Sequence, residues 1–166
     1  MLTLKVIFWI FLFIIFYSYL GYGILLYILV KLKRIFIGKK KAINPDYEPD
    51  VTLFVAAYNE KDYADEKVKN GFSLEYPKEK VKQLWITDGS NDGTPDILRK
   101  YASQGVEVYH EDARGGKIGA MNRGMQFVKT PIVIFSDGNT NLGHESIRRI
   151  VNLFSDPKVG CVSGEK

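Results

Sequence analysis

Apolar and polar residues divide this chain into two regions. From Val6 to Val30 no charge interrupts a run of 25 residues rich in Phe, Ile, Leu and Tyr. The run leaves no polar face at helical spacing, which argues against a buried helix of a soluble domain. As a helix it would extend about 37 Å, against about 30 Å for a bilayer core, so it is expected to cross a membrane with some tilt. A cleaved leader fits less well: the run is long, Lys5 makes a poor basic start, and no A-x-A-like site follows.

After Asp50 the pattern changes to short apolar runs alternating with amphipathic stretches. Strands are predicted at Val51–Ala57, Gln83–Thr87, Val106–Tyr109, from Ile132, and at Val159–Val162. Helices are predicted from Asp62 to about Leu74, from Thr94 to about Ser103, after Gly115-Gly116-Lys117, and from His144 to Phe154. Thr94 with Pro95 behind it reads as a helix cap followed by proline at the first helical position. The order β-α-β-α-β-α-β-α-β predicts an α/β fold, a mostly parallel sheet with helices on both faces. Residues 1–34 are taken as the membrane helix (span about 6–30) with its basic flank, residues 35–50 as a linker, and residues 51–166 as one globular region.

Charge sharpens this division. Seven of the 23 basic residues flank the apolar run: Lys5 before it, and Lys31, Lys33, Arg34, Lys39, Lys40 and Lys41 after it. Positive charge concentrates on the carboxyl-terminal side, so that side is expected in the cytosol and the amino terminus outside. The flank itself suits an anionic lipid surface. From Ala42 onward, 16 basic residues face 19 acidic ones, which excludes nucleic-acid binding by charge. The single cysteine, Cys161, cannot form an internal disulfide and is expected to be a small core residue.

Candidate chemistry gathers where the predicted strands end. Ile132–Phe135 stops at Ser136-Asp137-Gly138-Asn139, and the other ends carry Tyr58-Asn59-Glu60 and Asp88-Gly89-Ser90. Each could be an ordinary turn. In a parallel sheet, however, all three converge on the carboxyl edge, where ligands of open α/β sheets bind. Asp137 and Asn139 offer oxygen ligands suited to a hard divalent cation, with Gly138 between them permitting close backbone approach. No G-x-G-x-x-G is present, and Gly115-Gly116-Lys117-Ile118 lacks the hydroxyl residue of a P-loop.

These stretches together resemble family 2 glycosyltransferases. V-T-L-F-V-A-A-Y-N-E is similar to their opening strand, W-I-T-D-G-S-N-D-G-T to D-D-G-S-x-D-G-T, and G-G-K-I-G-A-M-N to G-K-x-x-A-L-N. F-S-D-G-N-T resembles their D-x-D region, and D-P-K-V-G-C-V-S-G-E the segment that follows. The likeness covers Val51 to Lys166. It implies a GT-A fold, Rossmann-like, and a nucleotide-binding set of Ala57, Tyr58, Glu60, Asp88, Lys117 and Asp137. Tyr58 would pack on the base, Asp88 would hydrogen-bond uracil, and Lys117 would lie near the diphosphate. Asp137 and Asn139 would hold Mg²⁺ or Mn²⁺.

The implied reaction is transfer of a sugar from a nucleotide-diphosphate donor, expected to be a UDP-sugar. The acceptor would be a glycan or lipid at the cytosolic membrane face, and the reaction inverting, in cell-surface polysaccharide or glycolipid synthesis. Three positions depart from the pattern: Ala56 stands for proline, Thr87 for the first aspartate of D-D-G-S, and Asn139 for the second carboxylate of D-x-D. An amide oxygen binds a divalent cation less strongly than a carboxylate, so weaker or diphosphate-dependent metal binding is expected. The acids Glu145, Asp156 and Glu165 match no catalytic motif. A base is therefore expected beyond Lys166, with this chain the amino-terminal, donor-binding half and the carboxyl-terminal half of the domain missing. The competing reading is a non-catalytic, membrane-tethered nucleotide-binding or assembly module. A nucleotidyltransferase fits the Y-N-E and G-K-I-G-A-M-N stretches less well.

Overall fold

The computed structural model describes residues 1–37, 44 and 46–164. Lys39, Lys40 and Lys41 of the basic flank, Pro45 of the expected linker, and Glu165 lie outside the described residues. The chain forms two compact units, Met1–Lys41 and Ala42–Lys166.

The first unit is helical from Leu2 to Ile37. Helix α1 (Leu2–Phe16) passes through a π-type turn at Tyr17–Gly21 into α2 (Tyr22–Ile37). Leu2–Lys33 is long and apolar enough to cross a membrane, with a mean hydropathy of 2.0 and no part of that window buried. Its apolar side chains lie open all round, as the uncharged Val6–Val30 stretch requires when its surroundings are not protein.

The second unit is built on four parallel strands: β1 (Val51–Ala57), β2 (Val81–Asp88), β3 (Val106–Glu111) and β4 (Ile132–Asp137). Their order in the sheet is β3-β2-β1-β4. The uncharged V-T-L-F-V-A-A of β1 occupies a central position, and six of its seven residues are buried. Between the strands lie α3 (Lys61–Ser73), α4 (Thr94–Arg99) and α5 (Gly116–Met125), and α6 (Ser146–Leu153) follows β4.

Alternation along β1 and β2 divides the core. Leu53, Val55, Ala57 and Trp85 pack with Ala64 and Val68 of α3, Leu98 of α4, and Ile147 and Val151 of α6. Phe54, Leu84 and Ile86 point the other way, onto Ala120 of α5. Helix α5 lies so close that a Cβ on Gly124 would fall 2.3 Å from Phe54 Cζ and 2.5 Å from Ile86 Cγ1.

Two expectations are corrected. Val159–Val162 forms no strand: Asp156 accepts from the amides of Lys158 and Val159, which turns the chain at Pro157-Lys158, and the segment after the turn is irregular. Apolar composition does not make a strand without a ladder partner. Cys161, expected in the core, is exposed for the same reason. Element ends also move. β3 continues to Glu111, α4 closes early into a 3₁₀ turn at Ala102–Gln104, and α6 starts at Ser146 rather than His144. The stretch before β1 is bonded into the unit: Pro49 accepts from the Tyr76 hydroxyl at 2.7 Å, and Glu48 pairs with Arg148 at 2.9 Å.

Candidate functional site

From β1 the chain moves outward through β2 to β3, then crosses back to lay β4 on the far side of β1. The reversal makes a switch point between the carboxyl ends of β1 and β4, the place where open α/β sheets bind ligands. Ala56 is in register with Asp137, so Ala57-Tyr58 and Gly138-Asn139 leave the sheet as neighbours.

The loops after β1 and β2 are joined by short bonds. The Asn59 amide donates to Ser90 Oγ at 3.1 Å, and the Asn91 amide to Asn59 Oδ1 at 3.0 Å. The Glu60 amide donates to Thr94 Oγ1, and the Lys61 amide to Asp92 Oδ2, both at 3.0 Å. Asn59 adopts φ +52°, a left-handed conformation that Asn tolerates. Thr94 is not the cap itself. It is fully buried, and Asp92 Oδ1 accepts from its amide at 2.9 Å and from its hydroxyl at 2.6 Å. Burial pushes the Asp92 carboxyl up, but the bonds from Thr94 and the Lys61 amide outweigh it and hold the group below its ordinary range.

Asp88, at the end of β2, is 4 % exposed and reaches the start of α5. The Gly116 amide donates to Oδ2 at 2.7 Å and Arg123 to Oδ1 at 2.8 Å. Burial raises its carboxyl, and the Arg123 bond with the Gly115 and Gly116 amides brings it net below the usual value. A carboxylate has about four acceptor directions, so Asp88 retains capacity for a ligand donor after serving these three. Gly89 must be glycine: at φ +71° a Cβ would sit 2.8 Å from Arg114 Cβ. Tyr58 is 41 % exposed, and the Arg114 guanidinium lies 3.9 Å from its ring centroid. A base stacking on Tyr58 would take the other ring face or displace this guanidinium.

The loop after β4 closes the site. Lys117 Nζ, at the start of α5, donates to Asp137 Oδ1 at 2.6 Å, and both side chains are about half exposed or more. Gly138 is buried against Glu60, where a Cβ would stand 3.2 Å from Glu60 Cγ. A Cβ here would require Glu60 to give way by a few tenths of an ångström. Burial pushes the Glu60 carboxyl up, and the charges of Asp137 and Asp92 add to the effect. Asn139 is exposed, with Thr140 Oγ1 donating to its Oδ1 at 3.4 Å. The sheet edge thus brings together Ala57, Tyr58, Glu60, Asp88, Lys117, Asp137 and Asn139.

Asp137 and Asn139 offer hard oxygen donors, as Mg²⁺ or Mn²⁺ prefers. Among the described residues, however, no group of three or more His, Cys, Asp or Glu could hold a metal ion. This donor set fits a cation shared with a ligand's phosphates and water, and does not fit one caged by protein alone.

Three contributors were not read from the sequence: Arg114, Arg123 and Lys67. Lys67 is 1 % exposed, yet it is flanked on α3 by buried Ala64, Val68 and Gly71 at helical spacing. That pattern is a readable signal, because a lysine within an apolar stripe must be buried with partners. Its Nζ donates to Ser136 Oγ at 2.8 Å and to the Thr140 carbonyl.

Comparison with known proteins gives a consistent picture. A mannosyltransferase from Pyrobaculum calidifontis, solved with GDP-Man and Mn²⁺, superposes with a TM-score of 0.77 at 28 % identity over 89 % of this chain and 45 % of its own. The beta-monoglucosyldiacylglycerol synthase of Nostoc sp. is 33 % identical over 71 % of this chain and 26 % of its own length. Glycosyltransferase AglE of Haloferax volcanii is 30 % identical over 70 % of this chain and 39 % of its own. This chain therefore spans between a quarter and two-fifths of these two relatives. TarS of S. aureus, at 22 % identity and a TM-score of 0.57, shares the GT-A fold. Residues 52–165 match the family described as Glycosyl transferase family 2, and the chain belongs to that family.

Proposed function

We propose that this chain binds the donor of a sugar transfer, a nucleoside diphosphate sugar, at the carboxyl edge between β1 and β4. The observation that carries the reading is the meeting of Asp137 with Lys117 at the switch point, beside the bonded loops of β1 and β2. Tyr58 offers an aromatic face to the base and Asp88 an acceptor to its N–H groups. Lys117 supplies a point cation for the diphosphate, which Asp137 holds near the sheet until phosphate oxygens compete for it. Asp137 and Asn139 would hold Mg²⁺ or Mn²⁺ together with the diphosphate. A divalent cation there acts as a Lewis acid on the leaving nucleoside diphosphate. The Mn²⁺ and GDP-Man of the Pyrobaculum structure support a metal-assisted donor site of this kind.

The acceptor we infer is a lipid or glycan at a membrane surface, with the transfer inverting and in the cytosol. Support comes from the apolar Leu2–Lys33 helix with its basic flank, and from the glycolipid product named for the Nostoc relative. The test is calorimetric titration of the full chain in detergent micelles with UDP and with GDP, each with Mn²⁺. Saturable binding of UDP, lost in Asp88→Ala and Asp137→Ala, is expected. Binding of neither nucleotide would overturn the reading, while preference for GDP would keep the site and change the base.

A further inference from the structure

Helix α3 grips the end of β4 and the segment after it through three residues. Glu66 bonds Asn141 Nδ2, Lys67 bonds Ser136 and Thr140, and Asn70 exchanges two bonds of 2.9 Å with the Leu142 backbone. Lys67 differs from the other two in kind. Its stem lies in the helix stripe with Ala64, Val68 and Gly71, and its ammonium is delivered to the underside of the turn. The two acceptors flank the turn: Ser136 precedes Asp137, and Thr140 follows Asn139. One group therefore spans both ends of the three-residue element Asp137-Gly138-Asn139.

Enclosing an ammonium at 1 % exposure is costly, and a methionine, which matches the lysine stem as far as Cε, would fill most of the space without that cost. Methionine, however, would leave Ser136 Oγ and the Thr140 carbonyl without their donor. Burial moves Lys67 down to about 8, and the neighbouring Asp137 charge opposes the fall.

We propose that Lys67 is a positioning residue for the diphosphate end of the site, fastening Ser136 to Thr140 so that Asp137 and Asn139 hold one geometry before a donor arrives. The proposal rests on the donor-site reading above. Lys67 itself touches neither base nor diphosphate. Its effect is confined to the turn, because the nucleoside end is held by the separate bonds among Asn59, Ser90, Asp92 and Thr94.

This confinement gives the test. Full chain in detergent micelles is titrated with uridine alone, and with UDP in the presence and absence of Mn²⁺. In Lys67→Met the strengthening of UDP binding by Mn²⁺ should fall by about tenfold or more, with uridine affinity within about twofold of wild type, the loss typical of outer-sphere support. Ser136→Ala removes one of the two acceptors and leaves the stem packed, so the same quantity should fall by about threefold. An unchanged Mn²⁺ effect in Lys67→Met overturns the proposal, as does parallel loss of uridine binding, which would make Lys67 a general core residue. If Lys67→Met does not fold, an unchanged Mn²⁺ effect in Ser136→Ala overturns it. Wild-type chain that binds neither UDP nor GDP removes the donor-site reading, an outcome distinct from a wild type that binds and a variant that binds equally well.

Discussion

The two ends of the candidate site are held by different physics. At the end formed by the β1 and β2 loops, buried Thr94, Ser90 and Asp88 receive or make short bonds with backbone amides. Such bonds fix atoms directly and are little affected by salt. At the β4 end the side chains that face outward, Lys117 and Asp137, are 66 % and 47 % exposed and joined by one ion pair. A pair of that kind contributes little to folding and is screened by salt. One end is thus ready for a rigid, flat ligand part, and the other is arranged by charge for a ligand part that brings its own. The difference suits a nucleoside at the first and a diphosphate at the second.

The sharpest way to break this comparison is at Asp137. Asp137→Ala should weaken UDP binding in Mn²⁺ by about 100-fold or more, because it removes the only carboxylate of the donor pair. Uridine binding should be preserved. Calorimetry with both ligands checks this, and parallel loss of the two would mean that the ends are not separable.

Asp88 tests the opposite end through stability. Asp88→Asn removes the charge from the buried member of the pair and leaves partly buried Arg123 without its charged partner, and a loss of about 1–3 kcal/mol at neutral pH is expected from thermal unfolding. The sign with pH follows from its lowered carboxyl. A carboxyl held below its unfolded value of about 3.9 stabilises the fold above that pH, and the contribution disappears as pH falls through the folded value. The stability of Asp88→Asn should therefore fall less steeply below about pH 4 than that of wild type. Equal acid slopes would show that Asp88 does not carry the linkage.

These two aspartates also show what the sequence makes legible. Both follow short apolar runs that read as strands, so their order places them at one sheet edge before any contact is known. The contacts between loops are another matter. That Thr94 serves Glu60, or that Gly138 makes room for Glu60, depends on how two turns separated by many residues meet, and no periodicity records it. The fifth strand failed for a related reason: Val159–Val162 has strand composition, but pairing is decided by the neighbour. Lys67 lies between the two cases, since its place in an apolar stripe was readable although its acceptors were not.

A smaller effect is expected at Thr94. Thr94→Val keeps the volume but removes the acceptor of the Glu60 amide and one donor to Asp92. About 1 kcal/mol of stability and a few-fold loss of uridine affinity should follow, with the strengthening by Mn²⁺ unchanged. Thermal unfolding and the same titrations check it. A loss confined to the Mn²⁺ effect would reverse the assignment of the two ends.

The smallest effect on the fold, and the finest test of the comparison, is at Lys117. Because the pair with Asp137 is exposed, Lys117→Met should change stability by less than about 0.5 kcal/mol. UDP affinity should still fall, by about threefold, because phosphate oxygens lose a cation that the free chain spends on Asp137. The diagnostic quantity is the salt dependence: wild-type UDP affinity should decline with ionic strength more steeply than that of Lys117→Met, while uridine affinity is flat in both. A salt dependence identical in the two chains would mean that Lys117 belongs to the resting loop alone. In that case the charge met by the diphosphate has to come from another group on the same edge, and Arg114, lying over Tyr58, is the cation to substitute next.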